Sequence, residues 1–325
     1  MEKYKNIVFN NDGKIIEKLE IKLDVIPKIF LIVVFLNLLS IFIGAFWLEL
    51  ITKPLIVPIL LIQKIITFTF LHLLVDEAQT LLRSNEYKDE DEDKNELDTE
   101  TISSVSVLKD FEKVLQKSSI YNYALFFCFL GDVFLLFNAT FLVGLVFFLI
   151  AHYIFCRALW GDSNKKQGFV MKNIALVIPF LVYLGTLLYF ILPHLKNDIV
   201  LQIAVIIYGC ALTASGILAL NRYNSTSFSS FLYIFIGFLF FIASDTWIAW
   251  QKFVLKTDNV FNGLGIMATY IFAMYAITKG STLGKRYLLS KLENEIIVKK
   301  IKEIEEMEEI EKVKVMPYRK SKRKK

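Results

Sequence analysis

The stretch from Ser229 to Trp250 reads SSFLYIFIGFLFFIASDTWIAW, with Phe, Leu and Ile on every side of any helix it forms and a single carboxylate, Asp245. At about 1.5 Å per residue such a helix is long enough to cross the hydrocarbon of a bilayer. A carboxylate in that setting costs at least ~2.5 kcal/mol, so Asp245 requires a reason to be there. Tyr121–Ala139 repeats the pattern, an apolar run around one aspartate, Asp132.

Working outward, six more runs of similar length are found: Ile29–Leu48, Pro54–Val75, Phe141–Trp160, Asn173–Pro193, Ile199–Leu220 and Val260–Thr278. With 55% hydrophobic residues, 29 of them Phe, the 325-residue chain is too apolar for a soluble domain. Its mean hydropathy of +0.50 says the same. The runs are apolar all round and lack the period-two alternation of a membrane barrel, which leaves helices. The expected fold is therefore an all-α polytopic membrane protein of about eight transmembrane helices. The charged start and the long first run predict an uncleaved first span rather than a signal peptide. Cys128, Cys156 and Cys210 fall inside apolar runs, where a small apolar role fits better than a disulfide or metal site.

Charge divides the chain into parts. Residues 1–28 form a polar amino-terminal segment, 29–280 the membrane domain, and 281–325 a charged helix and tail. The insert at 76–120 carries Asp89-Glu90-Asp91-Glu92-Asp93, a self-repelling run that predicts disorder, with partner binding as the alternative. Tyr287–Val315 spaces Leu292, Ile296, Ile297, Ile301, Ile304 and Ile310 as an amphipathic helix, interfacial or self-associating. The basic end, Arg319 to Lys325, suits anionic lipid better than nucleic acid. An even number of spans places both termini on one side. The amino-terminal lysines, the insert, Lys165, Lys166 and Lys172, and the tail share that side, which the positive-inside rule makes cytoplasmic. Lys322-Arg323-Lys324-Lys325 resembles a dilysine-type retrieval signal for the endoplasmic reticulum, a plain basic tail being the alternative.

Asp132 and Asp245 lie near the non-cytoplasmic ends of their spans, at matched depth. His152 sits mid-span, Arg157 nearer the cytoplasmic edge, and Lys53 and Lys252 flank spans on the aspartates' side. Each has a bland alternative: a helix-to-helix hydrogen bond for the aspartates and His152, interfacial snorkelling for the cations. Lys64 falls inside the second run with no obvious partner, and His72 and His194 read as interfacial. The glycosylation pattern Asn138-Ala139-Thr140 hugs the membrane. No phosphate-binding glycine loop, paired-histidine zinc motif or Gly-x-Ser-x-Gly elbow is present.

The blocks around the aspartates form a recognisable set. Gly131-Asp132-Val133-Phe134-Leu135-Leu136, then Gly144-Leu145-Val146-Phe147 leading to Ala151-His152, resembles the third and fourth spans of the lysoplasmalogenase family, the YhhN-like membrane proteins. Gly237-Phe238-Leu239-Phe240-Phe241 followed by Ser244-Asp245 is similar to a second block, and Lys53-Pro54-Leu55 and Thr269-Tyr270 to shorter ones. The resemblance runs from about Ile29 to Gly280. Ala273-Met274 stands where the family usually has Ala-Gln, and the acidic insert and charged helix look like additions.

The resemblance implies hydrolysis of the vinyl ether bond of lysoplasmalogens to a fatty aldehyde and glycerophosphoethanolamine or glycerophosphocholine. Such a bond breaks by protonation of its β-carbon and capture of the oxocarbenium ion by water. Leaving water favours the neutral form of any carboxyl, and two carboxyls in different surroundings can divide acid and base roles, as in glycoside hydrolysis. The implied site is Asp132 and Asp245 as the acid–base pair, Lys53 for the phosphate, and His152, Tyr270 and Ser244 in support. No metal or organic cofactor is required, and the lipid tail would enter sideways from the bilayer. A proton-coupled transporter and a non-catalytic lipid-binding protein are the alternatives. Pro179 is the one proline clearly interior to a later span, and no repeated half is evident.

Overall fold

In the computed structural model, residues 13–86, 120–163, 168–257 and 259–283 are described, and all regular structure among them is helical. Helix α1 (Gly13–Ile43) turns directly into α2 (Phe46–Glu86). Then come α3 (Ile120–Leu135), α4 (Phe141–Asp162), α5 (Ile178–Ile191), α6 (Ile199–Asn221), α7 (Phe228–Ala249) and α8 (Val260–Leu283). Seven of these segments are long and apolar enough to cross a membrane, and Ile120–Leu135 is a shorter apolar helix. The protein is an all-α integral membrane protein.

Three boundaries differ from the sequence expectation. The first turn falls at Gly44 rather than between Leu48 and Lys53. Gly44 adopts φ +70°, donates to Ile41 O at 3.3 Å, and lets Ala45 N donate to Ser40 O at 2.8 Å. This is the paired bonding that ends helices on a left-handed glycine. Glu49 then sits in the first turn of α2, where a carboxylate favours the helix start, and Lys53 lies inside the helix. At its far end α2 continues to Glu86, so the first part of the expected disordered insert is helical. The acidic run at 89–93, the helix expected over Tyr287–Val315 and the basic tail lie outside the described residues.

The third difference is α3, which ends at Leu135 instead of reaching Ala139. A short 3-10 turn, Asn138–Thr140, follows it. The Thr140 hydroxyl meets the freed carbonyls of Phe134 at 2.7 Å and Phe137 at 3.2 Å, offering them the partner that further helix would have supplied. Asp132 therefore lies within the last turn of its helix.

Tight crossings hold the bundle together. A Cβ on Gly237 of α7 would meet Ile277 Cγ1 at 2.8 Å and Ile277 N at 3.0 Å, and one on Gly280 of α8 would meet Ile234 N at 2.9 Å. Two glycines facing opposite helices let α7 and α8 approach backbone to backbone, the small-residue packing typical of membranes. In the core, Phe148, Phe241 and Tyr270 from α4, α7 and α8 meet edge to face, with centroids 5.9 to 6.1 Å apart. In contrast, α5 and its flanking 3-10 turns, Ile174–Leu195, bury only 6% of their apolar window, against 17–39% for the other long spans. It lies at the edge of the bundle.

Candidate functional site, a pair of intramembrane carboxyls

The aromatic triad touches the surroundings of both aspartates, Tyr270 bonding Asp132 and Phe148 lining the cavity beside Asp245. Asp132 is 2% exposed, and Tyr270 donates its hydroxyl to Asp132 Oδ2 at 2.7 Å. Tyr208 of α6 donates to Asp245 Oδ2. The two carboxyls interact electrostatically with each other, and Lys53 of α2 interacts with Asp132. Cys128, one turn before Asp132 and fully buried, feels both carboxyls. Five helices thus contribute to one cluster: α2, α3, α6, α7 and α8.

A sixth, α4, brings His152, which is fully buried and rests against the Phe241 ring at 4.7 Å. Its Nδ1 lies 2.9 Å from Ser215 Oγ. Ser215 also lies 2.9 Å from the Ala211 carbonyl, which accepts the serine proton, so Nδ1–H donates to Ser215 and, in the neutral ring, Nε2 is the bare nitrogen. That Nε2 has no hydrogen-bond partner and sits 3.8 Å from Asp245 Oδ2. An acceptor facing an acceptor calls for a shared proton donor, and a water placed against both atoms would supply two O–H bonds.

A cavity of about 50 Å³ opens beside Asp245, lined among others by Leu135, Phe148, Tyr208, Leu212 and Phe253. It has room for a few waters but not for a lipid chain. Asp132 does not line it. Among the described residues no three His, Cys, Asp or Glu side chains converge as metal ligands.

The structure thus brings together Asp132, Asp245, Lys53, His152 and Tyr270, and leaves Ser244 out. The Ser244 hydroxyl donates to Ile266 O at 3.1 Å and ties α7 to α8, because its position one residue before Asp245 turns it about 100° around the helix. Sequence reasoning missed Tyr208 and Ser215. Their signal was available: two polar residues seven apart in an apolar span lie on one helix face. The bond between Tyr208 and Asp245 had no such signal.

A second polar cluster occupies the other end of the bundle. Arg222 reaches Asp162 at 3.2 Å and Ser230 Oγ at 3.1 Å; Tyr121 donates to Asp162 at 2.8 Å; Ser230 donates to Gly280 O at 2.7 Å. Lys64, without evident partner in the sequence, is 2% exposed with its ammonium 4.8 Å from the Tyr121 ring centroid. This network joins α2, α3, α4, α7 and α8 at the helix ends opposite the aspartates, and it closes the end where the sequence had only scattered charges.

Crossing helices that hold two carboxyls, each bonded by a tyrosine of another helix, define a polytopic α-helical membrane protein with an intramembrane polar cluster. The YhhN family model matches residues 105–281, more than half of the chain, and the protein belongs to the YhhN family. Membership fits a lysoplasmalogenase-type membrane enzyme at the level of the family. No curated protein and no solved structure matches.

Proposed function

We propose that this protein hydrolyses the vinyl ether bond of lysoplasmalogens, releasing a fatty aldehyde and glycerophosphoethanolamine or glycerophosphocholine. The observation that carries the reading is the run of contacts that joins two carboxyls from helices far apart in the chain: Tyr270 bonds Asp132 and packs on Phe241, Phe241 packs on His152, and His152 Nε2 lies 3.8 Å from Asp245. Family membership supports the same chemistry.

In this reading Asp132, held by Tyr270, gives its proton to the β-carbon of the vinyl ether. The electron pair of the C=C bond takes that proton, and the ether oxygen shares the positive charge that forms on the α-carbon. The Asp245 carboxylate stabilises this cation by its opposite charge in a setting of low dielectric. Water held between Asp245 and the bare Nε2 of His152 attacks the α-carbon and loses a proton to that pair. The resulting hemiacetal breaks its C–O bond to the glycerol, with the proton passing to the leaving oxygen, and yields aldehyde and alcohol. Lys53, beside Asp132, is the candidate for the substrate phosphate. Both termini on the cytoplasmic side and residence in the endoplasmic reticulum belong to the same proposal, and protease protection of tagged termini in microsomes checks them.

The decisive experiment gives purified protein in detergent, with no ion gradient, a 1-alkenyl lysophosphoethanolamine and its 1-alkyl analogue. Aldehyde should form from the first alone. No aldehyde from either would sink the proposal, and ion-coupled flux of a solute in vesicles would favour a transporter.

A further inference from the structure

The cavity beside Asp245 is too small for the substrate that the proposed reaction needs. On the outer side of the same helix runs an open groove of about 470 Å³, lined by Tyr183, Leu239, Ile242, Ala243, Thr246, Trp247 and Trp250. The groove is open on its outer side, so a ligand lying in it stays in contact with the bilayer, whereas the cavity of about 50 Å³ admits only water. Thr246 lines both spaces. One turn of α7 presents Asp245 and Thr246 together, so the groove ends where the acid's cavity starts.

A polar contact lies at the wall they share. The Thr246 hydroxyl donates to Ile242 O at 2.6 Å, and its oxygen therefore accepts from Tyr183 at 2.5 Å. Tyr183 belongs to α5, the span that buries the smallest share of its window. Its α-helical part covers only Ile178–Ile191, with 3-10 turns at both ends and Pro179 at its start. Few packing contacts and interrupted backbone bonding are the marks of an element that opens at low cost.

We infer that the groove between α5 and α7 holds the hydrocarbon chain of a single-chain phospholipid arriving from the bilayer, and that the Tyr183–Thr246 hydrogen bond latches the portal into the Asp245 cavity. The inference rests on the proposed reading for its substrate class. Its walls are apolar and aromatic, with Tyr183 and Thr246 as the polar groups at the inner end. The chain would lie along Leu239, Ala243 and Trp247 with its head directed at Asp245.

The test uses the full-length protein in detergent with Trp47→Phe and Trp160→Phe, which leaves Trp247 and Trp250 as the fluorophores among the four tryptophans. The probe is an ester-linked lysophosphatidylethanolamine brominated in mid-chain. Its quenching should saturate, be reversed by the unbrominated lysolipid, and fail to be reversed by a diacyl lipid. Ala243→Phe, at an exposed position where folding is spared, should abolish the saturable phase. Tyr183→Phe should speed its onset about three- to ten-fold by removing the latch. Quenching that rises linearly with probe, equal displacement by diacyl lipid, or an unchanged signal in Ala243→Phe would overturn the groove assignment. Unchanged onset in Tyr183→Phe would overturn the latch. Saturable quenching in a protein that releases no aldehyde would leave the groove standing and remove the acid–base reading alone.

Discussion

Tyr270 and Asp132, 138 residues apart in the chain, are joined by a 2.7 Å hydrogen bond in which the phenol donates to the carboxyl. The bond fixes α8 against α3 at the point where the first of two intramembrane acids is held. The second acid has its own phenol, Tyr208 of α6. Each carboxyl is thus oriented by a tyrosine from a helix other than its own.

Replacing Asp132 or Asp245 with Asn keeps the shape and removes the ionisable group. General acid or base catalysis contributes ~10²- to 10⁴-fold, so aldehyde release should fall by at least two orders of magnitude in either variant. Turnover near wild type in a monodisperse Asn variant contradicts the assignment.

Tyr270→Phe and Tyr208→Phe should each lower kcat/KM by about ten- to a hundred-fold, the worth of one hydrogen bond to a charged or charge-developing group. The double variant should lose less than the product of the two, because the carboxyls are coupled. A full set of kinetic constants for the three proteins measures it.

Ser215→Ala releases His152 Nδ1 from its acceptor, and the ring is then free to change tautomer. The expected result is a fall in kcat with little change in KM, smaller than that of His152→Gln. With three histidines in the chain, ¹⁵N imidazole shifts of labelled protein can follow the tautomer directly. An unaltered Nε2 signal in Ser215→Ala would refute the orienting role.

Gly237→Ala places a methyl 3.0 Å from Ile277 N, a backbone atom that cannot step aside. Overpacking of this kind costs about 1–3 kcal/mol. The variant should unfold several degrees lower in a detergent thermal-shift assay, with aldehyde release per folded molecule reduced less than in the aspartate variants. Gly161→Ala, where a Cβ meets nothing within 4 Å, is the control.

Asp162→Asn leaves Arg222, 3% exposed, without its anion. Breaking a buried pair from one side costs about 3–5 kcal/mol, and the 19% exposure of Asp162 reduces that toward the lower end. The same thermal assay should show a loss exceeding that of Gly237→Ala. If the protein is indifferent to the change, the polar network does not brace that end.

Membrane insertion, the helical class and the two aspartates are legible in the chain because they depend on local content: an apolar run of bilayer length must be a helix, and a carboxylate inside one stands out in any single-sequence reading. The blocks at Gly131-Asp132 and Ser244-Asp245 could be identified for the same reason, since each is contiguous. Helix ends were less legible. Gly44, with its left-handed φ, outweighed the charges at Glu49 and Lys53, and Thr140 closed α3 early through side-chain bonds that hydropathy does not register.

Partnership belongs to the folded bundle. Helical periodicity orders residues around one axis but carries no information about which other helix that face meets. Tyr208 against Asp245, His152 toward Ser215, and Lys64 over Tyr121 each depend on a crossing between distant segments. Ser244 shows the converse: adjacent to Asp245 in the chain, it turns about 100° away around α7 and spends its hydroxyl on Ile266 O. Composition along the chain decides that these acids lie within membrane spans, and helix-to-helix packing decides what each of them can touch.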